Sequence, residues 1–205
     1  MLGAMGLKEF LEKTASSDPV PGGGSIAAMS GATAAALTEM VANLTIGKKK
    51  YVEVEEEMKE VASKANELRE KLIGDIDRDA ASFNKVMDAF KLPKETDEEK
   101  AARTEAIQAC TKEAALVPLE VAKEAFNMMG IIEAVVEKGN SNAVTDGAVA
   151  AMMARTAVLS ALWNVKINLS SIKDEAFVAE VSQEVKELEE KVQVREKEIL
   201  SKVVL

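Results

Sequence analysis

Asp18 to Ser25 read DPVPGGGS and lead directly into IAAMSGATAAALTEM, a run of small, helix-forming side chains. Two prolines stiffen the approach, three glycines let the backbone turn, and Ser25 stands where a helix cap belongs. The pattern predicts outward N–H groups at the positive end of a helix dipole, which suits a carboxylate, a phosphate or another electron-rich group. Gly22, Gly23, Gly24 and Ser25 are therefore the first candidate ligand site. The glycines match neither GxxxxGK[ST] of a phosphate loop nor a dinucleotide fingerprint, which needs a preceding strand.

Three further polar groups stand out. Lys48, Lys49, Lys50 and Tyr51 follow Gly47 at a helix junction; they could hold a polyanionic tail, or simply offset a helix C-terminus while solvated. Asp75, Asp77 and Asp79 sit in GDIDRDAASF, where Asp79 falls beside the apolar positions Ile76, Ala80 and Phe83. A carboxylate at the edge of a buried face has its pKa raised, which suits proton transfer; the plainer alternative is a charged flank paired with Arg78. Asn140, Asn142 and Asp146 lie in GNSNAVTDGAVAAMMAR, with Asn142 or Thr145 as the expected cap. Together they either terminate a helix or read a heterocycle through alternating donors and acceptors. The chain has no histidine, which removes Ser-His-Asp catalysis and every histidine metal site, so no metal is expected. Cys110 stands alone on an amphipathic helix and is expected to be a small core residue.

The elements that must position these groups are helices. Periodicity predicts helices over about 6–15, 25–45, 52–90, 96–129 with a bend at Pro118, a further stretch from a break at Gly130 to Gly139, then 142–170 and 173 to the C-terminus. The 52–90 helix carries Met58, Val61, Ala65, Leu68, Leu72, Ile76, Ala80, Phe83, Met87 and Phe90 on one stripe. The last helix carries Val178, Val181, Val185, Leu188 and Val192 at heptad spacing, with Arg195 interrupting before Ile199. No segment alternates with a strand period. The fold class is therefore all-α: one domain over 1–205, an elongated up-and-down bundle of long helices whose exposed seams favour a dimer.

Composition narrows the partners. A 47% hydrophobic content with only 3% aromatics implies a core of Ala, Val, Leu, Ile and Met. A net charge of −9 argues against nucleic acid, which needs a basic face. One cysteine fits a reducing cytoplasm, and no uninterrupted apolar run is long enough to suggest a membrane span or signal peptide.

Taken in order, PVPGGGS, LTIGKKKY, DRDAASFNKVMDAFKLPK and KGNSNAVTDGAVAAMMAR resemble the cyclodeaminase/cyclohydrolase family of folate enzymes. The likeness spans nearly the whole chain; Ser141 occupies a slot where the family often has proline. The resemblance implies a helical, cytoplasmic homodimer acting on tetrahydrofolate derivatives, with polyglutamylated forms among them and no prosthetic group. It implies formiminotetrahydrofolate cyclodeaminase first, releasing ammonia and 5,10-methenyltetrahydrofolate, and methenyltetrahydrofolate cyclohydrolase second. A separate formiminotransferase would then be a partner. Asp146, and after it Asp79, become the acid–base candidates. Asn140 and Asn142 would orient the pterin, Gly22 to Ser25 would bind a polar edge, and Lys48 to Tyr51, Lys49 above all, would hold the glutamate tail. A non-catalytic folate-binding module and a purely structural helical dimer are the other classes compatible with the same core.

Overall fold

The computed structural model describes residues 1–205. Six α-helices account for most of the chain: α1 (Leu7–Thr14), α2 (Gly23–Thr45), α3 (Glu55–Phe90), α4 (Asp97–Lys138), α5 (Val144–Leu169) and α6 (Glu175–Leu200). Short 3-10 turns at Leu2–Ala4, Lys49–Val54 and Ser141–Ala143 join them, and no strand is present. Helices α2 to α5 run up and down in a closed ring in which α2 touches α3 and α5, and α4 touches the same two; α6 covers α4 and α5. At 1.5 Å per residue α3 and α4 are about 54 and 63 Å long, against about 35 to 39 Å for α2 and α5. The α3–α4 hairpin therefore overhangs the bundle at one end.

Small residues set the close packing. Ala27, Ala28, Ala34 and Ala35 of α2 and Ala150, Ala151, Ala154, Ala157 and Ala161 of α5 have no exposed surface. At Gly31 an added Cβ would lie 3.1 Å from Leu72 Cδ1, so alanine there would fit only if the Leu72 side chain shifted by a few tenths of an ångström. By length and composition α2 and α5 could each cross a membrane, a property the sequence reading had not assigned to any segment. Here both are core helices of the bundle, and α5 carries Arg155 and Lys166 paired to Glu196 and Glu189 of α6.

Several sequence expectations need correction. Ser25 is not a cap: α2 starts two residues earlier behind Gly22, which frees the Ser25 hydroxyl for a tertiary contact. Gly130 does not break its helix, because α4 runs unbroken from Asp97 to Lys138. Thr96 does cap α4, in a full capping box with Glu99. Neither Asn142 nor Thr145 caps α5; Asn140 caps the preceding 3-10 turn instead. The apolar stripe of α3 is buried from Met58 through Ala80 except at half-buried Leu68, while Met87 and Phe90 emerge on the overhanging hairpin. The heptad seam of α6 is not a dimer seam. Val181, Val185, Val192 and Ile199 are buried in the chain's own core, and Arg195 steps out of the seam to pair with Glu133 of α4. Cys110 is half-buried on α4 rather than a core residue.

Candidate functional site

Where α2 begins, all four ring helices meet around a cleft of about 250 Å³. Its floor is the glycine turn. The chain enters through Pro19 and Val20, takes an extended conformation at Gly22 and turns directly into helix at Gly23. Helix α3 supplies Asp79, Ser82 and Phe83; α4 supplies Ala114; α5 supplies Asn164, Ile167 and Asn168.

Asp79 is the titratable group at the centre. Its Oδ2 accepts a hydrogen bond from Ser25 Oγ at 2.9 Å, and the Ser25 main-chain N–H also points to the carboxylate. The Ser25 hydroxyl has no exposed surface and lies 3.3 Å from the Ile76 carbonyl as well. These contacts exist because Gly24 has no side chain: a Cβ there would lie 2.0 Å from Asp79 Oδ1. The glycine turn thus lets a carboxylate from α3 press against the first turn of α2. Burial pushes the Asp79 pKa up, and the two Ser25 hydrogen bonds oppose that push without cancelling it. A carboxyl group of raised pKa, open to a cleft, is suited both to accept and to return a proton.

The neighbouring acidic residues have other duties. Asp77 accepts from the main-chain N–H groups of Leu2 at 2.6 Å and Gly3 at 3.2 Å, tying the N-terminus to α3. Asp75 is buried and paired with Arg78 at 2.6 Å, which also reaches Glu120 of α4.

The other sequence-predicted residues gather at the opposite end of the bundle. Tyr51 Oη accepts from the Ser141 N–H at 2.9 Å and lies 3.2 Å from Ser141 Oγ. The Ser141 hydroxyl contact lowers the Tyr51 pKa first, helped by the Ser141 N–H and by Lys50. Lys50 stacks over the Tyr51 ring at 5.2 Å, while Lys48 and Lys49 are exposed and make no ion pair. Asn140 is engaged at both ends: its N–H donates to Thr45 Oγ1, its Nδ2 donates to the Leu44 carbonyl, and its Oδ1 accepts from the Asn142 N–H. Asn142 is exposed, and Asp146 is half-buried in the first turn of α5 with no hydrogen-bond partner.

Asp146 and Asn164 share α5, and the eighteen residue steps from one to the other span about 27 Å. Gly22 to Ser25 and Asp79 therefore form one pole, and Lys48 to Tyr51 with Asn140, Asn142 and Asp146 form another; one protomer does not bring the two carboxylates together. The sequence reading missed Asn164 and Asn168. Their signal was present: two asparagines one turn apart, in WNVKIN, on a helix that is apolar over most of its length.

The formiminotransferase-cyclodeaminase family model matches residues 6–187. A methenyltetrahydrofolate cyclohydrolase of Methylorubrum extorquens is 48% identical over 92% of this chain and 89% of its own length. A formimidoyltransferase-cyclodeaminase of Gallus gallus is 35% identical over 89% of this chain, which corresponds to only 34% of that longer protein. The crystal structure of formiminotetrahydrofolate cyclodeaminase from Thermotoga maritima superimposes with a TM-score of 0.88 at 33% identity, covering 99% of this chain and 98% of that one.

Proposed function

This chain belongs to the formiminotransferase-cyclodeaminase family, and from that premise we propose that it is a methenyltetrahydrofolate cyclohydrolase with Asp79 as the acid–base group. The carrying observation is the carboxylate held against Ser25 at the α2 N-terminus with its pKa raised by burial. The order of the two reactions is reversed relative to the sequence reading. The relative named as a cyclohydrolase is 48% identical over nearly the full length of both chains, against 33% and 35% for those named as cyclodeaminases.

In the proposed reaction water attacks the carbon bridging N5 and N10 of the methenyl substrate. Asp79 takes a proton from that water as the C–O bond forms, giving a tetrahedral carbon. The C–N5 bond then breaks, the protonated Asp79 gives its proton to N5, and the hydroxyl proton leaves to solvent. The product is 10-formyltetrahydrofolate, and one proton is released for each water consumed. N–H groups at the start of α2 favour the developing negative charge on oxygen.

Cyclodeaminase chemistry is the second possibility, supported by the full-length likeness to the Thermotoga maritima enzyme. There N10 attacks the carbon of the protonated formimino group, Asp79 moves the N10 proton to the departing nitrogen, and ammonia leaves with the methenyl cation as product. A separate formiminotransferase would supply that substrate. Following the methenyl absorbance separates the two. Enzyme-dependent loss with methenyltetrahydrofolate supports the cyclohydrolase, whereas growth with ammonia release from 5-formiminotetrahydrofolate supports the cyclodeaminase. The absence of both changes would defeat the proposal.

We also propose a homodimer built on the outer faces of α2 and α5. Val149, Met152, Trp163 and Ile167 form one exposed stripe on α5, and Met40 and Leu44 add to it from α2; Trp163 is 68% exposed. Ile167 also lines the cleft, so the site opens onto this stripe. An antiparallel pairing would bring the Lys48–Tyr51 and Asn140–Asp146 end of a second copy to the Asp79 cleft, where Lys49 would meet the glutamate tail. Sedimentation should give a dimer, and Trp163→Glu should give a monomer with little activity; a wild-type monomer with full activity would refute the pairing.

A further inference from the structure

Inside an α-helix each carbonyl normally accepts the N–H four residues ahead. In α4 the residue four ahead of Ala114 is Pro118, which has no N–H, so the Ala114 carbonyl loses its intrahelical partner. Asn168 of α5 fills the vacancy. Its Nδ2 donates to the Ala114 carbonyl at 2.8 Å and to the Asn164 carbonyl at 2.9 Å. Both partners are acceptors, so both amide protons are committed and the amide cannot turn over without losing both bonds. Its Oδ1 receives no donor from the protein, and the residue lines the cleft that holds Asp79.

Asn164, one turn earlier, is held by a single amide bond and keeps one donor proton free. Its Nδ2 donates to the Ser160 carbonyl at 2.9 Å, and its amide stands so close to the glycine turn that a Cβ on Gly23 would lie 3.1 Å from Nδ2. An unrestrained asparagine can offer a donor or an acceptor to a ligand. Asn168 offers an oxygen alone.

We propose that Pro118, acting through the Ala114 carbonyl, fixes Asn168 as an acceptor-only specificity residue that selects ligands presenting an N–H to the α5 wall of the cleft. The inference rests on the folate function proposed above, in which the matching ligand group is an N–H-bearing edge of the reduced pterin. A ligand placing a carbonyl or carboxylate oxygen at that wall meets another oxygen and is disfavoured. Pro118 never touches ligand in this scheme; it is a positioning residue acting two steps away.

The test uses the full chain, 5-formyltetrahydrofolate as a stable probe for calorimetric Kd, and steady-state hydrolysis of methenyltetrahydrofolate. Asn168→Ala should raise Kd and KM by up to about tenfold, the loss of one hydrogen bond, with kcat changed by less than about threefold. Pro118→Ala restores the backbone N–H and releases the Asn168 amide. It should also raise Kd and KM while melting no lower than wild type, because alanine suits a helix interior better than proline. A merely structural proline would leave KM untouched. Unchanged Kd and KM in the folded Pro118→Ala protein overturn the inference, and that variant decides the matter if Asn168→Ala fails to fold. Absence of binding by wild type overturns the folate function and this inference together; binding with indifferent variants overturns the inference alone.

Discussion

Gly24→Ala is the smallest change that should dismantle the site. The added methyl would lie 2.0 Å from Asp79 Oδ1, 2.5 Å from Cγ and 2.8 Å from Oδ2, all far inside contact distance. The carboxylate must rotate away, which breaks the 2.9 Å bond from Ser25 Oγ, or α2 and α3 must separate. Ser25 is fully buried, so its hydroxyl is left with only the longer 3.3 Å contact to Ile76. Losing a buried hydrogen bond to a carboxylate costs roughly 1.5–3 kcal/mol. For a chain of this size that lowers Tm by about 3–12 °C. Displacing a general acid–base group lowers turnover by about 100-fold or more. The assay pairs thermal unfolding with loss of methenyl absorbance. Gly130→Ala serves as the control, since its Cβ would meet nothing within 4 Å, and it should stabilise α4 by about 0.5–1 kcal/mol. In an Asp79→Ala background the clash disappears, so Gly24→Ala should become nearly neutral there. A Gly24→Ala enzyme as stable and active as wild type would refute the packing argument.

Two further outcomes follow from the geometry. Burial raises the Asp79 pKa in the folded state, so between its unfolded and folded values the native protein keeps a proton that the unfolded chain has lost. Stability therefore falls as pH rises through that window, and Asp79→Asn should gain Tm over wild type as pH climbs above the ordinary carboxylate range; a difference independent of pH would contradict the burial argument. Lys49 is exposed and unpaired, so Lys49→Ala should raise KM for a polyglutamylated substrate and leave the monoglutamate KM within about twofold. Equal effects on both substrates would remove Lys49 from the tail site.

Much of this architecture is written in local patterns. The α3 stripe from Met58 to Ala80 is buried as its spacing predicts, apart from half-buried Leu68, and the Thr96–Glu99 box starts α4 where capping chemistry places it. The Gly130 break failed because a single glycine costs a helix only about 1 kcal/mol, which the packing of Met129 and Ile132 on either side offsets. The α6 seam misled because heptad spacing describes any narrow apolar face, whether it docks on another chain or on its own core. Ser25 reads as a cap from its local context, but a helix start two residues earlier makes it a tertiary donor to Asp79 instead. Asp79 was legible as a carboxylate beside an apolar stripe. That Asp146 lies at the other pole was not, because helix direction and length, rather than motif content, decide which residues meet. Asn168 was least legible: its role depends on Pro118, fifty residues away, removing one N–H from a facing helix.

The most direct test of the central claim is the initial rate of enzyme-dependent methenyltetrahydrofolate hydrolysis by Asp79→Asn beside wild type. Asparagine preserves the size and an acceptor for Ser25 but cannot cycle a proton. The account predicts a kcat at least about 100-fold below wild type with KM within about threefold. A variant that turns over at close to the wild-type rate would show that the proton moves through another group, and Asp79 would lose its assigned role.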